Sequence, residues 1–288
     1  MAVQTWTIGD VTVHCVQEIV VANDPDIVVN GVDAPLLAAH GHWLRPHYVT
    51  DDDRLLIAIQ TYLVEADGVR IVVDTCLGND RPLGGGPPLR TAYLDDIAAL
   101  GFGRELVDVV LCTHLHLDHV GWNTMLVDGA WVPTFPNARY LFAEAEYEFW
   151  TTERNPFVDL RDTVDPIVEA DLHQLVGPRH AITGVVSLVP TPGHTPGHVS
   201  VRISSHGASA LISGDMLHHP IQIVAPDHGC PADWDEQQAR ETRLALLDDL
   251  AASGTLLLGT HFAEPAGGFV NRAGDTGFAF SVDRPARS

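Results

Sequence analysis

The protein has 288 residues, of which 45% are hydrophobic, which is enough to bury a sizeable core in one domain or in two fused halves. Its formal net charge is −22 and it contains no lysine, so nucleic acids and anionic membrane surfaces are unfavourable partners. The chain has no 18-residue apolar run and no basic, then apolar, leader at its start. We therefore expect a cytoplasmic protein that acts on a small molecule and keeps its four cysteines as free thiols. Whether it is a monomer or a homodimer stays open.

The first part of the chain is predicted to be mainly β-structure. Alternation of buried and exposed types begins at 11–16 and indicates a half-buried strand. Residues 22–53 lose this periodicity and carry several prolines and glycines, which predicts a long irregular segment. In a compact domain such a segment is typical either of a lid or pocket-forming excursion or of a plain surface excursion. Strands resume at 55–66 and 69–75, and Asp67-Gly68 predicts the hairpin turn between them.

The middle of the chain alternates helices with strands. Thr91 is predicted to cap a short helix that Gly101 ends. The continuous apolar run 107–113 is typical of a strand that is buried on both faces. Residues 144–152 and 159–172 are predicted to be helical.

Predicted strands return after Gly177, and the chain is predicted to end in a hairpin. The longest predicted helix runs from Asp235 to Ser253 and stops at Gly254. Three short predicted strands each lead directly into a loop that carries His or Asp, and these strands are 107–113, 210–214 and 255–260. Functional side chains commonly gather where rigid strands meet open loops, so we expect the chemistry there.

Four potential metal ligands occur within six residues, directly after the strand at 107–113. They are His114, His116, Asp118 and His119. A helix would scatter these positions around its circumference, whereas a tight loop leaving a strand can aim them at one point. Imidazole and carboxylate groups bind zinc and other first-row dications. Three ligands can fill one site, so a fourth indicates a second metal ion nearby.

Three more candidate ligands follow later predicted strands. His194 lies in a Pro- and Gly-rich turn, Asp215 ends the strand at 210–214, and His261 ends the strand at 255–260. Each is weak alone, but their shared placement at strand ends makes them candidates for the same site.

This pattern resembles the metallo-β-lactamase superfamily, whose signature is H-x-H-x-D-H followed by a later His, Asp and His. The resemblance covers roughly residues 55 to 265. It implies an α/β fold, an αββα four-layer sandwich with two mixed sheets, as a single domain over residues 1–288. It also implies that His114, His116 and His194 hold a first metal ion. Asp118, His119 and His261 would hold a second ion, and Asp215 would bridge the two.

The resemblance further implies two divalent metal ions, with zinc favoured and iron, manganese and cobalt left open. A hydroxide shared by the two ions would attack a carboxylic ester or a lactone of a small molecule. Asp118 would pass a proton to the leaving group or serve as a ligand only, and His218 would steady the substrate oxygen or be a simple surface histidine. The methyl-parathion-hydrolase-like and quorum-quenching lactonase-like branches are most similar. Phosphotriester hydrolysis, β-lactam hydrolysis and an iron-dependent oxidoreductase on the same fold remain alternatives.

Several residues are candidates for supporting roles. His198 is expected to brace its loop or a ligand, because metal-bound histidines need an oriented neighbour. Asp74 is expected either to orient a ligand histidine or to serve as a turn carboxylate. Four aromatic residues are candidates for the walls of an apolar pocket, although aromatic side chains are more often core, and these are Trp122, Phe149, Trp150 and Phe262.

Overall fold

The computed structural model of the protein describes residues 3–82, 86–153, 158 and 160–283. The strands, in chain order, are β1 (Val3–Ile8), β2 (Val11–Asn23), β3 (Leu55–Ala66), β4 (Val69–Val73), β5 (Val109–Leu111), β6 (Thr124–Val127), β7 (Ala130–Pro133), β8 (Arg139–Ala143), β9 (His173–Val176), β10 (Val186–Pro190), β11 (Val199–Ser205), β12 (Ala208–Ile212), β13 (Leu256–Leu258), β14 (Gly267–Ala273) and β15 (Gly277–Ser281). The helices are α1 (Pro25–Val28), α2 (Ala34–Leu44), α3 (Tyr93–Ala99), α4 (Leu117–Val120), α5 (Glu144–Thr152), α6 (Asp165–Glu169), α7 (Ile221–Val224) and α8 (Glu236–Ser253).

The strands form two large sheets and one small hairpin. The first sheet has the order β1-β2-β3-β4-β5-β8-β9, antiparallel as far as β4 and parallel from β4 onward. The second has the order β10-β11-β12-β13-β14-β15, in which only β12 and β13 pair in parallel. Both large sheets are therefore mixed, as the resemblance implies, and β6 pairs with β7 outside them.

The core is divided into three layers that follow from the alternation of side chains along the strands. Val13 of β2 and Val201 of β11 belong to one buried cluster, which joins the facing surfaces of the two sheets. The other face of the first sheet packs against α3, α5 and α6 through residues such as Ile97. The other face of the second sheet packs against α2, α7 and α8 through residues such as Leu247. This arrangement confirms the αββα sandwich.

Local signals placed several elements correctly. Asp67 and Gly68 both have positive φ, 53° and 77°, as the tight hairpin between β3 and β4 requires. Asp235 caps α8 by accepting a hydrogen bond from Gln238 N at 2.9 Å, and Gly254 ends the helix with a φ of 64°. The terminal hairpin β14–β15 is also present.

Three local predictions are wrong. The segment 22–53 is not irregular throughout, because it completes β2 and then forms α1 and α2. Within 159–172 the helix is limited to α6, since Pro166 fits only the first turn of a helix; residue 159 lies outside the described residues. Thr91 does not cap α3, because its hydroxyl lies 3.1 Å from the buried Glu18 carboxylate instead. None of the described helices combines the length and apolar composition that a membrane-spanning helix needs.

Candidate metal centre

The seven predicted ligands converge at one edge of the sandwich. β12 and β13 are parallel neighbours, with Ile212 paired to Leu258, so the loops that follow them emerge side by side and bring Asp215 close to His261. The chain after β5 turns into α4, which carries Asp118 and His119 in its single turn. The parallel strand ends therefore set the position of the site.

Two glycines hold the loop of His194 against its neighbours. Gly193 has a φ of 132°, and a Cβ on it would lie 2.2 Å from Ala239 N at the start of α8. A Cβ on Gly197 would lie 2.2 Å from Glu146 N. Only glycine permits both close approaches, so the sequence around His194 is fixed by packing as well as by turn geometry.

The ligands fall into two groups around one carboxylate. The Oδ2 atom of Asp215 lies 3.7 Å from His114 Nε2 and 3.4 Å from His194 Nε2. Its Oδ1 atom lies 3.2 Å from His119 Nε2 and 3.1 Å from His261 Nε2, and His261 Nε2 is also 3.2 Å from Oδ2. Two sets of side chains with ligand atoms mutually within 4.8 Å are His114, His116, His194 and Asp215, and Asp118, His119 and His261. The carboxylate of Asp215 thus lies between the two sets.

Several of these atoms are buried and make no hydrogen bond. Among the described residues, His114 Nε2, His119 Nε2 and Asp215 Oδ1 make no hydrogen bond, since the 3.2 Å contact between the last two lacks hydrogen-bond geometry. Leaving such atoms unpaired in a protein interior costs about 1–3 kcal/mol each. Because all three converge on the same region, the donor set fits two divalent cations, which would satisfy them.

The second nitrogen of three ligand histidines is held by a neighbour. His119 Nδ1 lies 3.0 Å from Asp74 Oδ2, His194 Nδ1 lies 2.9 Å from Asp233 Oδ1, and His261 Nδ1 lies 2.8 Å from the Ala58 carbonyl oxygen. Such contacts fix the ring and leave Nε2 for the ion. Asp74 therefore orients His119, one of the predicted ligands. Asp233 was not predicted, because nothing local to it marks a partner 39 residues away.

His198 contacts Asp215, the predicted bridging residue. Its Nε2 accepts a hydrogen bond from Asp215 N at 2.9 Å, and its Nδ1 lies 2.8 Å from Thr191 Oγ1. Burial lowers the pKa of His198 to about 3, so the ring is neutral and can accept this bond.

Glu146 joins the two ligand-bearing loops and was also missed. This buried carboxylate accepts hydrogen bonds from Leu115 N at 3.1 Å, Gly197 N at 2.9 Å and Thr195 Oγ1 at 2.7 Å. Trp150 Nε1 donates to it at 2.6 Å. One side chain from α5 thus fixes the loop of His114–His119 relative to the loop of His194.

The electrostatics favour the metal-binding forms of two ligands. Burial, together with the neighbouring His194, lowers the pKa of His116 to about 3, which keeps its imidazole neutral. Burial raises the pKa of Asp215, but the surrounding His119, His261 and His218 lower it well below its usual range. Neutral imidazoles and an ionised carboxylate are the forms that bind cations.

A cavity of about 370 Å³ opens onto the metal centre. Its base carries His116, Asp118, His194, Asp215, His218 and His261. Its walls are mostly apolar and carry Asn23, Ile27, Val28, Ile57, Ile59, Leu77, Leu117, Cys230 and Ala232. A concave, largely apolar space with a few convergent polar groups is typical of a small-molecule site.

The four candidate aromatic residues are not found among the described residues that line this cavity. Trp122 stacks on Tyr93 at a centroid distance of 5.4 Å, and Trp150 lies behind His116 at 5.7 Å. Phe149 and Phe262 pack in or against the hydrophobic clusters. The core alternative is therefore the right one for these side chains. Aliphatic residues form the walls instead.

His218 lies at the base of the cavity, within the cluster of ligands. Its Nε2 lies 3.2 Å from Asp215 Oδ2, and its ring is nearly parallel to that of His261 at a centroid distance of 5.6 Å. The side chain therefore faces both the bridging carboxylate and the space available to a substrate.

Comparisons with known proteins agree with this geometry. An uncharacterized protein YobT of Bacillus subtilis is 27% identical over 167 residues, which cover 56% of this chain and 63% of that protein. An N-acyl homoserine lactonase AttM of Rhizobium radiobacter is 30% identical over 135 residues, which cover 41% of this chain and 44% of the relative. The chain thus matches less than two thirds of the length of either relative.

Among solved structures, AidC, a dizinc quorum-quenching lactonase in complex with a product, superposes with a TM-score of 0.78 and 20% identity. That match covers 99% of this chain and 98% of AidC, and it supports the fold. Residues 56–252 match the sequence profile of the metallo-beta-lactamase superfamily. The profile spans more than half of the chain, and the chain therefore belongs to the metallo-beta-lactamase superfamily.

Proposed function

We propose that the protein is a hydrolase that binds two divalent metal ions, zinc in the first place, and cleaves a carboxylic ester or lactone of a small molecule. The observation that carries this proposal is the Asp215 carboxylate, which lies between the two sets of imidazoles, with Oδ2 3.4 Å from His194 Nε2 and Oδ1 3.2 Å from His119 Nε2. When bound, two such ions would polarise the substrate carbonyl and supply an ionised water as nucleophile. The unpaired buried atoms of the site support this assignment.

The residues at the base of the cavity would divide the remaining work. Asp118 has a side chain that is 30% exposed, the most open carboxylate of the cluster, so it can reach a leaving group. Burial raises its pKa, but His119 and His261 lower it below the ordinary value, so Asp118 begins as a proton acceptor. We assign it the transfer of a proton to the leaving group. We assign His218 the donation of a hydrogen bond to the substrate oxygen.

The walls of the cavity favour an acyl group of apolar character. Ile57, Ile59 and Leu77 line its interior, and Ile27 of α1 stands 65% exposed at its rim. The 22–53 segment contributes Asn23, Ile27 and Val28, which supports its role as a pocket-forming excursion. The similarity to proteins named as N-acyl homoserine lactonases supports a lactone that carries an acyl chain.

The test is metal analysis of the purified protein together with a substrate panel. The panel contains aryl esters and lactones of increasing acyl length, phosphotriesters and β-lactams. We expect two ions per chain and fastest turnover of an ester or lactone with an apolar acyl chain. The matched variants are His116→Ala, which removes a ligand, and His173→Ala, which changes a half-buried histidine of β9 outside the centre. Turnover that survives complete chelation, or that His116→Ala leaves intact, would reject the proposal.

A further inference from the structure

A thiol lies at the edge of the metal centre and is not one of the seven ligands. Cys230 is only 5% exposed, yet it lines the same cavity as His194 and His218. It begins a tight turn in which Asp233 N donates to Cys230 O at 3.0 Å and Cys230 N donates to Asp233 Oδ2 at 2.9 Å. Since Asp233 also holds His194, the turn fixes the thiol relative to a ligand histidine.

His218 offers a second group that the seven-ligand set leaves unused. Its ring is buried, with 7% of the residue exposed, and its Nδ1 finds no hydrogen-bond partner within the described part of the chain. One ligand atom from each of His194, His218 and Cys230 lies within 4.8 Å of the other two. A ring nitrogen of the buried His218 therefore lies within 4.8 Å of the buried thiol.

The three groups have the chemistry of a site for a thiophilic cation. Cations such as Zn²⁺ bind sulfur at about 2.3 Å and imidazole nitrogen at about 2.0–2.1 Å, so ligand atoms around one ion lie roughly 3.5 Å apart. The ligand atoms lie within 4.8 Å of one another, so side-chain movements of no more than about one ångström bring them to that spacing. A set with a thiolate prefers softer ions than a set made only of imidazole and carboxylate.

We propose that the first metal position has two overlapping ligand sets that share His194. The imidazole set is His114, His116 and His194, and the thiolate set is His194, His218 and Cys230. Because Asp233 occupies His194 Nδ1, only Nε2 can bind an ion, so the two sets compete for this residue. A thiophilic cation such as Cd²⁺ binds the thiolate set, and the Cys230 proton is released to solvent. Occupation of the thiolate set would therefore make His194 unavailable to the imidazole set of the first position. This inference rests on the proposed function only through the shared His194.

The experiment adds Cd²⁺ to the metal-free protein and records the ultraviolet charge-transfer absorption of a cadmium–thiolate bond. We expect the band in the wild type and its loss in Cys230→Ser. The matched control is Cys112→Ser, because Cys112 is also buried and its Sγ lies 3.6 Å from Asn123 Oδ1, a contact that a serine hydroxyl can replace. His116→Ala keeps the band, since His116 belongs only to the imidazole set. His218→Ala weakens cadmium binding about tenfold or more, in line with the loss of one ligand.

The outcomes separate this inference from the proposed function. Absence of the band in the wild type overturns the inference, and so does a band that persists in Cys230→Ser or disappears in Cys112→Ser. Circular dichroism of each variant establishes that it is folded, and His218→Ala tests the same site without changing the thiol. If the proposed function fails, the protein hydrolyses no ester or lactone, but the cadmium band and its dependence on Cys230 are unaffected.

Discussion

His194 and Asp233 are joined by a hydrogen-bonding contact of 2.9 Å between Nδ1 and Oδ1, on the side of the imidazole that faces away from the other ligands. Asp233 is held in turn by Cys230 N at 2.9 Å and by the buried guanidinium of Arg243 at 3.5 Å. A ligand that is oriented before the ion arrives loses less conformational freedom on binding. We therefore expect the affinity of the proposed first metal position to depend on Asp233, which is not among the seven candidate ligands.

Asp233→Asn is expected to weaken the first ion selectively. The substitution keeps the shape of the side chain but removes the charge that orients His194 and pairs with Arg243. Changes to such partners typically lower metal affinity 10- to 100-fold. Competition against a chromophoric chelator measures the two binding steps separately. An equal loss at both steps, or no loss at either, would contradict the assignment of His194 to the first position.

Asp74→Asn is the matched change on the other side of the centre. Asp74 Oδ2 contacts His119 Nδ1 at 3.0 Å, while its Oδ1 accepts a hydrogen bond from Thr113 N at 2.7 Å. We expect a loss of about 10- to 100-fold in the affinity of the second ion, with the first ion little affected. The same chelator competition provides the measurement. If the two variants give the same pattern, the division of the ligands into two sets is wrong.

The ligand-bearing loops could be predicted because each is short and follows a recognisable strand. Four ligands stand within six residues, and His194, Asp215 and His261 each follow a strand. The residues that hold these ligands could not be predicted in the same way. Asp233 lies in the loop that precedes α8, and Glu146 lies in α5. Both reach the site through the packing of segments that are distant in the sequence. The sequence around a buried carboxylate does not indicate which distant residue it will hydrogen-bond.

The helices of the 22–53 segment escaped prediction for a related reason. α1 has four residues, and α2 buries only Leu37 and Leu44 fully, so neither produces a clear helical periodicity. Both are held by packing against the outer face of the second sheet. Tertiary contacts decide such short helices more than intrinsic propensity does. The β-rich sandwich, in contrast, follows from long alternating or apolar runs that are readable in the sequence.

Glu18→Gln is expected to change how stability depends on pH. Burial raises the pKa of Glu18 above its ordinary value of 4.5, although hydrogen bonds from Leu77 N, Trp122 Nε1 and Thr91 Oγ1 oppose this. In the window between 4.5 and the raised pKa the folded chain binds more protons than the unfolded chain. The free energy of unfolding that Glu18 contributes therefore falls as the pH rises through this window.

The glutamine variant cannot ionise, so the difference in unfolding free energy between wild type and variant is expected to shrink as the pH rises. For each unit by which the folded-state pKa is raised, this difference in unfolding free energy changes by about 1.4 kcal/mol across the window. Urea denaturation of both proteins at a series of pH values above about 4.5 measures the difference. A difference that stays constant across the series, or that grows with pH, would show that the Glu18 carboxyl does not titrate as stated.

Removal of bound metal is expected to destabilise the folded chain. The centre gathers buried imidazoles and carboxylates whose atoms are unpaired without cations, such as His114 Nε2 and Asp215 Oδ1. An ion present at about 1,000 times its dissociation constant stabilises the folded state by about 4 kcal/mol. We expect the melting temperature to fall on chelation and to recover when zinc is restored. In His116→Ala we expect a smaller fall in melting temperature on chelation. A wild-type melting temperature that does not change on chelation would argue against metal binding at this centre.

The exposed side chain of Ile27 is expected to set the preference for long acyl groups. Ile27 stands at the rim of the cavity on α1, so only a substrate that extends beyond Ile57 and Leu77 can contact it. Ile27→Ala removes about 1 kcal/mol of apolar contact for such a substrate, which corresponds to a roughly fivefold lower kcat/KM. For an acetyl ester we expect no change, since a short chain does not reach the rim.

Leu106→Ala is the matched control, because Leu106 is 52% exposed and is not among the described residues that line the cavity. Kinetics with acetyl to decanoyl esters compare the three proteins. A loss that is equal for all chain lengths, or that Leu106→Ala reproduces, would mean that α1 does not contact the acyl group.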